Sequence, residues 1–404
     1  MLSLKKGVVS VFITKVLVAF IGLLTVVVTS RYLGAQGRGT ISLFTSSVAL
    51  VQLFCDFGSS SAIINLSYKI NQWKLWLSAA IWILIIGLFA YLIAFLVPIE
   101  YVFWVPIVAV LFSVLNLNNM LLMGNRMVVQ RNVLLVLQPV LLLIIFTGFV
   151  YFEYLINIAY PMAFLLAVSL TFLVSAFFIV PKLKAAASQM LSFRFEKQIL
   201  TNGLWVQGGH AIQFLNYRIN FFIIVFFIGN AALGIYNNAL VIAESLWILG
   251  HSIGQMMHMK ILNSDNPIEH RNLTFRMLLL NFSGTMVMLV VLLLIPVSFW
   301  EWLFSKEFGR IKILFFAMSP GILFFSISNI LNHFFHAKNQ FKFILVVNLV
   351  GLFVGITGSF IFIPLYGLVG ACISWSSALT VSMLFYLYRF FRQPFSNTQG
   401  IFGE

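Results

Sequence analysis

Four ionisable side chains, Lys15, Asp56, Arg218 and Glu244, stand inside stretches that are otherwise almost wholly apolar. A charge near the centre of a membrane-length apolar run costs about 2.5–3.5 kcal/mol on insertion scales, so such a group faces a partner or water. Polar residues recur around them at helical spacing. Gln207, His210, Gln213, Tyr217 and Asn220 step by three or four residues and form one stripe, with Asn216 and Arg218 on its flanks. Asn237, Glu244, His251 and His258 recur every seven residues, and Thr45, Gln52, Asp56 and Ser59 share a face of another run. Three polar stripes in lipid-like helices predict a shared hydrated cavity. Its cations would be Arg218, Lys15 and Arg31, and its candidates for coupling to an ion Asp56, Glu244 and His251. The competing reading is that the amides and hydroxyls bond helix to helix and merely hold a bundle together. That reading stays open for Thr45, Gln52, Ser59, Gln213 and Asn237, and Lys15 could instead snorkel to the nearer interface.

Other chemistries find no residues to carry them. No P-loop is present, so a nucleotide-driven pump on this chain is excluded, and energy would come from an ion gradient, the membrane potential or the substrate gradient. No hydrolytic or metal-ligating constellation emerges. The two cysteines, Cys55 and Cys372, sit in apolar runs without ligand spacing and read as packing. The expectation is a protein that is not an enzyme and needs no cofactor or metal. The net charge of +14 does not indicate nucleic acid, because the basic residues lie in short connections rather than on one face.

The elements that position these residues must be membrane helices. Of 404 residues 61% are hydrophobic and 8% charged, and about 20 apolar residues suffice to span a bilayer as a helix. The first run carries no cleavage site and reads as a retained span. Twelve spans are predicted, at 8–29, 40–66, 75–97, 101–123, 132–151, 156–180, 201–228, 231–258, 274–299, 311–334, 343–363 and 366–388. The longest polar insert in mid-chain, 181–200, divides them six and six. The predicted organisation is an N-terminal bundle over 1–180, a cytoplasmic linker and a C-terminal bundle over 201–404. With the N-terminus inside, seventeen Lys/Arg fall on cytoplasmic segments against five outside, so both termini are predicted to be cytoplasmic.

Glycines punctuate both halves. Gly229 and Gly234 repeat the five-residue spacing of Gly34 and Gly39. Gly351, Gly355 and Gly358 put small residues on one face of the eleventh span, and Pro320-Gly321 predicts a kink in the tenth. Arg31 and Arg38 flank the first of these turns. Arg38 reads as an interfacial anchor, whereas Arg31 could also serve an anion-attracting rim.

The segment Thr29-Ser30-Arg31-Tyr32-Leu33-Gly34-Ala35-Gln36-Gly37-Arg38-Gly39 resembles the opening hairpin of polysaccharide flippases. Asn216-Tyr217-Arg218-Ile219-Asn220 through Gly234-Ile235-Tyr236-Asn237-Asn238-Ala239 is similar to that family's second-half motif. So are Leu331 to Lys338 with Gln340, and Ile363 to Ala371. The family is the Wzx-type O-antigen and capsule repeat-unit flippases, within the multidrug/oligosaccharidyl-lipid/polysaccharide exporter superfamily. The resemblance implies an all-α, MATE-like protein of two six-helix bundles forming a V around a cationic cavity in the bacterial inner membrane. It implies a substrate, an oligosaccharide on undecaprenyl diphosphate. It also implies H+ or Na+ as coupling ion, and a polysaccharide polymerase and chain-length regulator as partners. By position Arg218 would be a cavity cation. Family members often carry aspartate where this chain has Asn220, which leaves Asp56 and Glu244 as the carboxylates.

On this reading Arg218, Lys15 and Arg31 would replace water around the diphosphate. The sugar would lie among Gln52, Gln207, His210, Gln213, Tyr217, Asn220 and Asn237, with the tail in lipid. Rocking about 181–200 would expose the cavity to alternate sides. Two alternatives remain: an ion-coupled multidrug antiporter of the same superfamily, and a membrane polysaccharide polymerase. A polymerase usually carries a sizeable outside loop, which this chain lacks.

Overall fold

The computed structural model describes residues 2–58, 63, 71–96, 101–153, 158–185, 194–264 and 266–393, with the backbone alone for 2–12, 184, 185, 194–207, 209 and 210. All regular structure among them is helical. The helices are α1 (Leu2–Cys55), α2 (Gln72–Ala94), α3 (Trp104–Gly124), α4 (Val128–Tyr151), α5 (Ala159–Ala185), α6 (Arg194–Phe227), α7 (Asn230–Ser245), α8 (Trp247–Leu262), α9 (Pro267–Leu294), α10 (Val297–Leu303), α11 (Ile311–Ala337), α12 (Phe341–Tyr366) and α13 (Leu368–Arg392).

Among the described residues ten stretches are long and apolar enough to cross a membrane. One of them, Ile13–Cys55, holds two arms separated at Gly34, where φ 65° and ψ −170° break the helix in a region open to glycine. The shorter apolar helix Ala211–Phe227 brings the total to the twelve spans expected. The eighth span is interrupted at Leu246: its N–H bonds Ala243 O at 3.2 Å, a tightened turn that separates α7 from α8 directly after Glu244.

Local chemistry explains the helix starts. Asn266 Oδ1 accepts from the N–H groups of Ile268 (3.0 Å) and Glu269 (3.3 Å), and Pro267 follows it at the first helical position, where its missing N–H costs nothing. Asn71 caps α2 in the same way through the N–H of Trp73 at 3.0 Å.

The chain divides into two compact units: Met1–Tyr32 with Thr40–Ala211, and Leu33–Gly39 with Ile212–Glu404. The division falls within α6 rather than in the polar insert, much of which lies outside the described residues. In the first unit Phe44 packs edge-on against Tyr160 (6.4 Å) and Phe164 (6.3 Å). In the second, the glycine face of α12 lies on α13 as expected. Added Cβ atoms would sit 2.7 Å from Ser382 Oγ at Gly351, 3.5 Å from Ala378 at Gly355 and 3.0 Å from Ser374 Oγ at Gly358. Helices in lipid gain little from apolar burial against each other, so close backbone approach and buried hydroxyls supply the adhesion. Ser359 Oγ shows this, lying 2.7 Å from both Gly355 O and Ser374 Oγ.

Candidate functional site

In the second unit several polar residues of the spans lie near an ion pair and a cavity. Arg218 on α6 donates through Nη1 to Glu244 Oε1 (2.9 Å) and through Nη2 to Oε2 (3.0 Å), with both side chains 24% exposed. This fork-to-fork pairing fixes the guanidinium plane, and the Arg218 Cζ lies 5.0 Å from the Phe221 ring centroid. The residue expected to hold a diphosphate and one of those expected to couple to an ion are therefore bonded to each other.

Tyr217, next to Arg218 in sequence, belongs to an aromatic wall. Trp247 stacks on Trp375 (5.6 Å between centroids, 14° between planes) and lies 3.8 Å from Phe325. Tyr217 leans on both Trp247 (6.1 Å) and Phe325 (6.4 Å). The wall faces a cavity of about 100 Å³ lined by Gln213, Asn216 and Tyr217 of α6, His251 of α8, Asn329, Asn332 and His336 of α11, Asn348 of α12, and Trp375 and Tyr386 of α13. Asn216 Nδ2 donates to Asn348 O at 2.9 Å, and the Tyr386 hydroxyl donates to Asn332 Oδ1 at 3.2 Å. Asn329 Nδ2 and Trp375 Nε1 are buried and find no hydrogen-bond acceptor among the described residues. Amides flanked by indole and phenol faces suit a hydroxyl-rich guest.

The other expected residues fall in several places. Gln213, Tyr217 and His251 line this cavity. Asn220 does not. It is 3% exposed, accepts from Ser359 Oγ at 2.7 Å and donates to Ala371 O at 3.5 Å, which makes it a tie between α6, α12 and α13. Asn237 is likewise buried, at 6%. The side chains of Gln207 and His210 lie outside the described residues, and so does Ser59. Lys15 and Arg31 are exposed, and Gln52 is half-buried. Asp56 sits in the first unit on the 3-10 turn that ends α1, buried, where it accepts from Asn116 Nδ2 at 2.9 Å. Nearby in that unit Asn118 accepts from Trp76 Nε1 (2.9 Å) and donates to Ser175 Oγ (2.8 Å).

Arg38 is no interfacial anchor. It is 6% exposed and its Nε donates to Asn238 Oδ1 at 3.0 Å, since the turn 33–39 is built into the second unit. The two glycine repeats meet there reciprocally. A Cβ on Gly39 would strike the carbonyl of Asn230, and one on Gly234 the carbonyl of Ala35. Glu307 closes the turn by accepting from the Ala35 N–H at 2.6 Å through Oε2. Trp247, Phe325 and Trp375 of the wall, Asn348 and Glu307 were absent from the expected site. Aromatics are too common in this chain to stand out, and Glu307 reaches across 272 positions.

No family model matches the sequence. Over 188 residues, 46% of this chain, it is 25% identical to the capsular polysaccharide biosynthesis protein CapF of Staphylococcus aureus, and the match spans about half (47%) of that protein. Its fold superposes on an inward-facing multidrug resistance MATE family transporter of the MOP superfamily, with TM-score 0.77, 14% identity, and 92% of this chain and 94% of that one covered. The lipid II flippase MurJ, in an inward closed conformation, gives TM-score 0.77 at 15% identity, covering 95% of this chain and 88% of MurJ. A MOP superfamily transporter from Pyrococcus furiosus, whose binding pocket is described as of reversed polarity, gives 0.66 at 15% identity over 96% of each chain. The protein is thus an all-α, multi-pass membrane protein of about twelve spans with the MATE-like fold of the MOP superfamily transporters.

Proposed function

We propose that the protein flips an oligosaccharide carried on undecaprenyl diphosphate from the inner to the outer leaflet of the bacterial cytoplasmic membrane, for surface polysaccharide assembly. The observation that carries this reading is the Arg218–Glu244 pair beside a cavity of amides and indoles. A guanidinium fork that holds a carboxylate with two bonds matches the oxygens of a diphosphate equally well. In the resting protein Glu244 occupies the fork. A proton or Na+ taken up by Glu244 weakens the pair and frees Arg218 for the diphosphate, and loss of that ion restores the pair and expels the cargo. The sugar end lies against Trp375 and Tyr217, with Asn329 Nδ2 and Trp375 Nε1 as its waiting donors, and the prenyl tail stays in lipid. Lys15, Arg31 and Asp56 belong to the first unit and are given no step in this cycle. Both termini are cytoplasmic on this reading, by the excess of Lys/Arg on that side. A polysaccharide polymerase and chain-length regulator would receive the product.

The likeness to MurJ and the partial likeness to CapF support a lipid-linked saccharide. The equal likeness to a multidrug MATE transporter keeps drug antiport as the second reading. Against it, Glu244, the carboxylate beside this cavity, already faces Arg218. Deletion of the gene in its source bacterium discriminates. The flippase reading expects loss of surface polymer with lipid-linked repeat units retained inside. Single repeat units at the surface would indicate a polymerase, and unchanged polymer with raised drug sensitivity the antiporter.

A further inference from the structure

At the far end of the second unit from the Gly34 turn, a groove opens between the start of α9 and the end of α13. It has a volume of about 590 Å³ and is lined by Arg271, Asn272, Phe275, Arg276, Phe390 and Phe391. Phe275 and Phe391 are 47% and 58% exposed, and the exposed face continues down α9 through Leu279 and Met286. Arg271, Phe275, Leu279 and Met286 fall on one helical stripe. From Arg271 to Met286 that stripe rises roughly 22 Å at 1.5 Å per residue, more than the ~15 Å half-thickness of a hydrocarbon core. Cations therefore stand at the head of an apolar track that enters the membrane.

The neighbouring charges reinforce this. Arg389 and Arg392, on the same end of α13, lie over the rings of Phe343 (5.9 Å) and Tyr388 (4.7 Å). Glu269, whose carboxylate accepts from the Ser264 hydroxyl at 3.0 Å, sets one negative charge against Arg271, Arg276, Arg389 and Arg392. A guanidinium pair joined to a phenylalanine-lined track complements a phosphate headgroup joined to an acyl chain. We propose that this groove is a binding site for an anionic phospholipid of the surrounding bilayer, its phosphate held by Arg271 and Arg276 and one acyl chain laid along Phe275, Leu279 and Met286. The site is separate from the Arg218 cavity and stands whether or not that cavity carries a saccharide.

The test is a lipid titration of the full-length protein, delipidated in neutral detergent and read by native mass spectrometry. The probes are phosphatidylglycerol, phosphatidylcholine and inorganic phosphate. Phosphatidylglycerol should be retained saturably and the other two should not. R271Q/R276Q should weaken its binding about thirtyfold, roughly fivefold for each near-surface cation lost. R271K/R276K, which keeps the charges and serves as the folding control, should keep most of the affinity. Raised salt should weaken binding to the unaltered protein. Equal affinity for phosphatidylcholine would reduce the groove to an apolar surface, and equal binding of inorganic phosphate would make it a free-anion site. Either result, or unchanged binding in R271Q/R276Q, overturns the proposal.

Discussion

Replacing Gly39 with alanine tests the reciprocal crossing most severely. The added Cβ would lie 2.5 Å from the carbonyl carbon of Asn230 and closer still to its oxygen, whereas ordinary contact begins at 3.4 Å. The two backbones must therefore part by at least ~0.9 Å. Neither side can yield by rotating a side chain, because the obstacle is main chain. Overpacking of this kind costs about 1–3 kcal/mol, and the helix-propensity gain of Gly to Ala returns about 1. With main chain as the obstacle the cost falls at the top of that range, and the net loss is about 2 kcal/mol. Gly234→Ala makes the mirror-image clash, 3.0 Å from the Ala35 carbonyl carbon, and should destabilise with the same sign. Once one substitution has parted the backbones the second has less to push against, so the double variant should cost less than the sum. Gly22→Ala is the control, with nothing within 4 Å of its Cβ. Thermal melting of the purified protein in detergent reads all four. Gly39→Ala melting as high as Gly22→Ala would mean that the crossing is not where this geometry places it.

Asn220→Ala should lower stability by about 1 kcal/mol, the scale of an interhelical bond in lipid, while transport per folded molecule is unchanged. Transport loss without a melting change would return Asn220 to the cargo path. Trp375→Ala should destabilise by about 3–5 kcal/mol, because a stacked and buried indole leaves a cavity, whereas Trp375→Phe should keep the wall and lose the Nε1 donor, sparing stability and slowing transport. Glu307→Gln keeps the shape of the bond to Ala35 but removes its charge, and should lower the melting temperature slightly with a smaller salt dependence than the parent. A melting curve identical at low salt would show that this carboxylate contributes nothing to the turn.

The spans were legible because length and polarity alone determine them: a run such as 343–363 has no other way to satisfy its backbone in lipid. The repeat at Gly34/Gly39 and Gly229/Gly234 was visible as spacing, and the α12 glycine face as periodicity. What the residues do to one another was less legible. Arg218 and Glu244 were each visible as costly charges, but their roles were read separately, since nothing in a 26-residue separation says that α6 and α7 aim them at each other. Arg38 beside a turn looks like a surface anchor until Asn238, 200 positions on, is brought against it. Trp247 and Trp375 were lost among the aromatics, which make up 16% of the chain and carry no contrast in a hydrophobic sequence. Asn220 shared a stripe with Tyr217, yet one turn of helix is enough to move a side chain from a cavity wall into an interhelical tie.

Complementation of the deletion strain shows whether Arg218 carries the diphosphate. Arg218→Ala should insert at parental levels yet restore no surface polymer, with lipid-linked repeat units accumulating inside. Glu244→Gln, which leaves the guanidinium without its counter-charge, should load cargo but fail to release it, and so also restore little polymer. Parental amounts of surface polymer from an Arg218→Ala strain would remove Arg218 from the mechanism.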